Sequence, residues 1–243
     1  MKLLTFNAIP HTNFPGLSVR SGNRPIKSTV SNKYLNVPGR DGSYMFPGNA
    51  RDKVKTYIFT LVANSFDELW PVFTEVSAWL HTKSKAQLIV DDQPDRYDMG
   101  VVEDEIEPKF EGVMAEFEVQ FHCEPYAYSL APKTQNFVSD SLTITNEGTA
   151  PASPKFTATF TATATEYKLW FGNYFIRIVR NFIIGDILVI DNAFSKVTVN
   201  GVNAMANLDL NSRFFGIDTR TNALNVTPTA KATTVITWKE RWL

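Results

Sequence analysis

His11, His81 and His122 are the side chains best suited to moving protons near neutral pH, and they lie far apart with no recognisable motif around any of them. No Gly-x-Ser-x-Gly, His-Glu-x-x-His or Gly-x-Gly-x-x-Gly is present. Asp91, Asp92, Asp95 and Asp98 fall within eight residues and invite a calcium reading. Their order lacks the alternation and distal Glu of an EF-hand loop, so a solvated acidic hairpin is expected instead. Glycoside hydrolysis needs one carboxyl group held in a low-polarity cleft, and the carboxylates here concentrate on polar strand faces. Gly39-Arg40-Asp41-Gly42 is not followed by the Lys of a phosphate-binding loop and reads as a tight hairpin turn. Cys123 is the single cysteine, which excludes an intrachain disulfide and a cysteine zinc site. The expectation is a chain that is not an enzyme and has no catalytic residues, metal or cofactor.

Binding is the remaining chemistry. Trp170, Tyr174, Trp238 and Trp242 are the aromatics that could stack on sugar rings, with Trp170 and Tyr174 the candidate glycan-stacking pair. Asn225-Val-Thr227 matches a glycosylation acceptor but, without a secretory leader, is expected to be a surface turn. Charge is unevenly spread. Residues 1–60 hold nine Lys/Arg against two Asp/Glu, a net of +7, and residues 61–132 hold four against fifteen, a net of −11. The remainder holds eleven against eight, a net of +3. So lopsided a first half suits head-to-tail association of identical copies. The opening Met-Lys-Leu-Leu-Thr-Phe-Asn, followed by Pro10 and His11, reads as no signal peptide, and no apolar run of about 20 residues predicts membrane insertion. Synthesis or assembly in a reducing host cytoplasm is expected.

The elements that must position these groups are mainly β. A first domain is expected over residues 1–132. It comprises short strands to residue 32, a hairpin around Asp41-Gly42, and a strand over 53–62 with Tyr57, Phe59 and Leu61 on one face. Ser65-Phe66-Asp67-Glu68 has the spacing of a capping box, and Phe66, Leu69, Phe73, Val76 and Leu80 follow at helical spacing. Pro71 either bends this helix in its second turn or marks where it starts. A strand over 87–90 precedes the acidic hairpin, and Phe117, Val119 and Phe121 alternate with Glu116, Glu118 and Gln120 in a strand that Pro125 is expected to end. From Asp91 to Glu124 there are twelve acidic and two basic residues, which predicts a strongly negative face.

A second domain is expected over 133–243, after a polar stretch from Pro132 to Asp140. Strands are expected at 142–144, 156–165, 169–171, 175–179, 187–190, 196–199, 214–217 and 235–238. Turns are expected at 146–151, Gly172-Asn173, Gly185-Asp186, Asn192, Asn200-Gly201 and Thr221-Asn222. Such regular punctuation argues a jelly-roll β-sandwich.

Gly39 to Gly42, Ala78-Trp79-Leu80, Leu88-Ile-Val-Asp-Asp with Asp95-Arg96-Tyr97, and Phe121-His-Cys-Glu-Pro-Tyr-Ala-Tyr128 resemble, in order and spacing, the distal tail protein family of siphophages infecting Gram-positive bacteria. Asn146-Glu-Gly-Thr with Pro151 and Pro154, Gly185-Asp186 before Ile190-Asp191, and Asn200-Gly201 extend the resemblance to nearly the whole chain. Pro71 within the helix and Thr219-Arg-Thr-Asn222, where a Pro-Gly turn is expected, depart from the pattern. The resemblance implies a tail-tube-like β-sandwich or split barrel with one helix, followed by a galectin-like sandwich. It further implies a homohexameric ring at the virion tail tip, with a possible second stacked ring. The ring would join the tail tube protein to the tail-associated and receptor-binding proteins, with phage DNA passing through. A host-glycan-binding adhesion module is the alternative. Arg40, Asp41, Glu103, Asp104, Glu105 and Glu107 are the expected ring or channel interface, because an acidic wall would repel DNA and a basic one would hold it.

Overall fold

The computed structural model describes residues 3–137 and 141–243. The part of the polar stretch at 138–140, and Met1 and Lys2 of the opening residues, lie outside the described residues. The chain is mainly β and divides into two compact units, residues 1–128 and 129–242.

The first unit contains β1 (Leu4–Phe6), β2 (Ile9–Pro10), β3 (Leu17–Ser21), β4 (Lys33–Asn36), β5 (Ser43–Phe46), β6 (Lys53–Val62), α1 (Leu69–Leu80), β7 (Ala86–Val90), β8 (Arg96–Val102), β9 (Lys109–Glu111) and β10 (Met114–Ser129). Its main sheet runs β2-β1-β7-β8-β10-β6-β3, with β9 also paired to β10. Period-two alternation sets its faces. Phe117, Val119 and Phe121 of β10 and Tyr57, Phe59 and Leu61 of β6 point inward, while Glu118 and Gln120 face solvent. On the inner face lies α1, which buries Leu69, Val76, Trp79 and Leu80. Trp79 packs against Phe6, Phe14 and Phe59 and donates its indole N–H to the Phe6 carbonyl at 2.9 Å.

Three local expectations are corrected. Ser65 and Glu68 form no capping box. The helix starts at Leu69 with Glu68 as its cap residue, and the Glu68 carboxylate instead accepts from the backbone and side-chain N–H groups of Asn64. Pro71 therefore sits in the first turn, where no intrahelical N–H bond is needed. Pro125 does not end its strand. Pairing with β6 stops at Cys123, so Pro125 lies beyond that ladder, and its carbonyl accepts from Ser28 Oγ and Lys53 Nζ. Asp98 is not part of a solvated acidic face but is buried.

The second unit contains β11 (Lys133–Phe137), β12 (Ser141–Asn146), β13 (Lys155–Phe160), β14 (Ala164–Phe171), β15 (Tyr174–Phe182), β16 (Ile187–Asp191), β17 (Lys196–Val199), β18 (Val202–Asn203), β19 (Arg220–Thr227), β20 (Ala232–Trp238) and β21 (Arg241–Trp242). Two antiparallel sheets, β11-β20-β13-β16-β17-β18 and β12-β19-β14-β15, enclose a core that includes Phe156, Phe160, Tyr167, Ile176, Phe182 and Ile236. Buried asparagines hold its turns. Asn146 Nδ2 donates to the Ala150 and Ile217 carbonyls, and its Oδ1 accepts from Gly148 N–H. Asn200 Oδ1 accepts from Ile187 N–H, and its Nδ2 donates to Asp186. Backbone N–H of Ile183 and the Asn200 amide hold the Asp186 carboxyl below its ordinary range.

Several expected boundaries move here. Lys133–Phe137 is a strand rather than part of a polar link, and it pairs with β20. The expected 156–165 strand is broken by a bend after Phe160. Residues 214–217 contribute one bridge, Ile217 to Ala152, rather than a strand. Thr221-Asn222 and Asn225-Val-Thr227, expected as turns, both lie inside β19, which pairs with β12 and β14. A β propensity rich in Thr, Val and Leu overrides the asparagines, and Asn222 turns its amide back onto the Asp218 and Arg220 carbonyls.

Candidate functional site

The loop joining β8 to β9 carries Glu103, Asp104, Glu105 and Glu107, and the fold sorts them onto two sides. On one side is a cleft of about 390 Å³ against the exposed edge of α1. Trp70, Phe73, Val76 and Leu80 form one wall, Val102, Ile106 and Pro108 the other, and Glu103, Asp104 and His81 stand at its rim. The helical period builds the α1 wall, because residues three and four apart share a face. An aromatic cluster continues it outward: Phe110 of β9 lies 5.4 Å from Phe66, 6.1 Å from Trp70 and 6.0 Å from Phe73, between ring centroids.

On the other side, Glu105 and Glu107 line a shallow depression with Glu116, Glu118 and Gln120 of the outer face of β10. Some of this acid is compensated. Asp104 Oδ2 lies 2.7 Å from His122 Nε2, and Glu116 pairs with Arg20 at 2.8 Å. Glu103, Glu105, Glu107, Glu111 and Glu118 make no ion pair among the described residues, and all five are exposed. Unbalanced negative charge is thus confined to this loop, β9 and the adjoining face of β10.

Arg40 and Asp41 lie elsewhere, at the tip of the hairpin of β4 and β5. Its loop is six residues long, with Gly39 and Gly42 at positive φ, rather than a two-residue turn. The Arg40 guanidinium lies 3.7 Å from the centre of the Tyr44 ring. Every residue of both strands is exposed, including Tyr34, Leu35, Tyr44, Met45 and Phe46. Sequence reading placed the turn but missed this doubly exposed ribbon, whose signal is its lack of apolar and polar alternation.

A third feature, the buried charge cluster, is structural. Lys53 and Lys55 project from the inner face of β6 onto Asp98, with Lys55 Nζ at 2.5 Å and Lys53 Nζ at 3.5 Å. Burial lowers the Lys53 amine below its ordinary value despite Asp98, and burial pushes the neighbouring Cys123 thiol up to about 12. Cysteine is therefore protonated and inert in the folded chain.

In the second unit, the register of β14 and β15 sets Trp170 opposite Phe175 and Phe171 opposite Tyr174. Trp170 and Tyr174, though both exposed, accordingly point to opposite faces of the hairpin and form no common platform. Lys168 Nζ lies 4.4 Å from the Trp170 ring centre. Trp238 is buried in the core and Trp242 half-buried. Among the described residues no group of three or more His, Cys, Asp or Glu could hold a metal ion, and no helix is long and apolar enough to cross a membrane.

Two antiparallel β units carrying surface clefts and an exposed arm suit a part that works by assembly, and comparison with known families gives the class. Residues 16–123 match the phage tail protein RIFT-related domain, and residues 147–242 match the C-terminal domain of the siphovirus-type tail component. The chain belongs to the distal tail protein family of siphophages. It is 27% identical over 149 residues to the distal tail protein of Bacillus phage SPP1, a match spanning 59% of this chain and 58% of that protein. In fold it is similar over 100% of both chains to the crystal structure of the SPP1 distal tail protein, described as a paradigm of the hub adsorption apparatus in phages infecting Gram-positive bacteria. The TM-score is 0.84 at 17% identity. The phage p2 baseplate in its calcium-activated conformation gives a TM-score of 0.48 at 10% identity, covering 99% of this chain and 98% of that one.

Proposed function

We propose that the chain is the hub of a siphophage tail tip. Six copies form a ring around the DNA channel, possibly stacked as two rings in the particle, through the first unit, residues 1–132. The second unit, residues 133–243, faces outward. The ring joins the tail tube protein to the tail-associated and receptor-binding proteins, at a virion site reached after assembly in the host cytoplasm. The observation that carries this reading is the whole-length likeness in fold to the SPP1 hub protein, together with tail-family matches in both units.

Charge supports a channel. DNA presents one negative charge per about 1.7 Å of axis, so a wall of uncompensated carboxylates lets it pass without binding. Glu105, Glu107 and Glu118, exposed and unpaired on one face, are assigned to that wall. Glu103 and Asp104, turned toward the apolar cleft, are assigned with Arg40 and Asp41 to contacts between subunits. A host-glycan role would rest on Trp170 alone, because Tyr174 points away from it.

The test is the mass of the purified chain by light scattering coupled to size exclusion over a range of concentration and salt. Electron microscopy of any large species follows. A hexamer or dodecamer with a central hole is the expected result. Compact dimers with no larger species in any condition, and no ring on purified tail tubes, would overturn the reading.

A further inference from the structure

We infer that the β4–β5 arm of one copy docks into the α1 cleft of the next, making a head-to-tail contact that repeats around the ring. The inference deepens the ring reading and rests on it. Three observations carry it.

The arm lacks a partner that its chemistry needs. A two-stranded ribbon is marginal in water by itself. Here the register places Tyr34 beside Met45 on one face and Leu35 beside Tyr44 on the other, so both faces carry large apolar side chains. The arm's root, by contrast, is fixed. Ser31 and Arg51 N–H donate across it to the Asn49 and Thr29 carbonyls, Gly48 lies so close to the Ser31 carbonyl that no Cβ would fit, and Ser28 Oγ ties it to β10. A pinned root with an uncovered blade is the form of an inserting element.

The cleft complements it. Its walls are Trp70, Phe73, Val76, Leu80, Val102 and Ile106, and its rim is acidic at Glu103 and Asp104. Across residues 25–50 the arm carries Lys27, Lys33 and Arg40 against Asp41 alone. Apolar blade meets apolar wall, and basic tip meets acidic rim.

Geometry sends the contact to another copy. The arm's root is tied at Pro125 of β10, and the cleft is floored by Phe117 of the same strand. Eight residues of strand put these points roughly 26 Å apart. Arm residues contribute nothing to the lining of the cleft. Two different patches on one subunit give a heterologous contact, which closes into a ring when the rotation per subunit permits.

The experiment uses the full chain with cysteines placed at exposed positions, Met45→Cys on the arm and Glu103→Cys on the rim. Native Cys123 stays silent because it is buried and protonated. Mixing the two single variants under mild oxidation should give a crosslinked dimer absent from either variant alone, and the double variant should give a ladder. Arg40→Glu should weaken self-association about tenfold or more, and Arg40→Glu with Glu103→Arg should restore it. No mixed crosslink, or crosslinks equally frequent within one single variant, overturns the docking. So does a hexamer whose mass and stability are unchanged by Tyr44→Ser with Met45→Ser, a result that leaves the ring standing. Head-to-tail crosslinks with open chains in place of closed hexamers sustain the docking and refute the ring.

Discussion

Replacing Asp98 by Asn tests whether the first unit depends on its buried charge. Asn has the same shape, so no cavity opens, and what is lost is the negative charge between Lys53 and Lys55, both buried. Breaking a buried pair by removing one partner costs about 3–5 kcal/mol, because the remaining charge is left uncompensated. At about 4 °C per kcal/mol for a unit of this size, the melting temperature should fall by about 12–20 °C. Guanidinium denaturation followed by circular dichroism should show a lower midpoint at unchanged slope. A pH signature should accompany it. The folded pKa of Lys53 lies below its unfolded value of 10.5, so between the two the unfolded chain binds more protons and stability rises with pH. Asp98 is what holds that folded pKa up, so its loss widens the window downward, and the defect should shrink as pH rises from neutral toward 10. A loss below about 1 kcal/mol, the scale of solvent-exposed pairs, would refute the reasoning and mean that water reaches both lysines.

Asn146→Ala should cost about 2–4 kcal/mol, read from the urea midpoint, because two buried carbonyls and the Gly148 N–H lose their partner together. Gly100→Ala would place a Cβ 2.9 Å from Cys123 Sγ and should destabilise the first unit by about 1–3 kcal/mol. Cys123→Ala should recover much of that loss in the double variant, a non-additivity visible in the same denaturation curves. Glu105→Lys with Glu107→Lys and Glu118→Lys should slow DNA release from assembled particles, measured with a fluorescent DNA dye. Unchanged ejection from particles that incorporate the variant would remove these residues from the channel wall.

The sequence was most legible where period and burial agree. Phe117, Val119 and Phe121 announced the inner face of β10, and Val76 and Leu80 that of α1. Reading failed where a local signal was overruled by context. Ser65 and Glu68 had capping spacing, but Pro71 fixes the first turn three residues later and leaves Glu68 to Asn64. Thr221-Asn222 looked like a turn, yet both edges of β19 are taken by neighbouring strands, which no local window reveals. The acidic run from Asp91 to Glu124 was visible as charge. Its division into a buried Asp98, a paired Asp104 and Glu116, and an unpaired remainder depends on lysines, a histidine and an arginine brought in by the fold. The aromatic cleft was illegible because Trp70 and Phe110 sit on separate elements and meet only in three dimensions.

Asn200-Gly201 carries one more consequence. Asparagine followed by glycine is the dipeptide most prone to spontaneous deamidation, in which the glycine nitrogen attacks the side-chain carbonyl carbon and closes a succinimide. Here both ends of the Asn200 amide are engaged, its oxygen by Ile187 N–H and its nitrogen by Asp186, in a residue held at a φ of 51°. Rotating the side chain into the attacking geometry means giving up both bonds. A tail protein built into a particle is never resynthesised, so the same two hydrogen bonds that shape a surface turn also slow the chemical ageing of the particle.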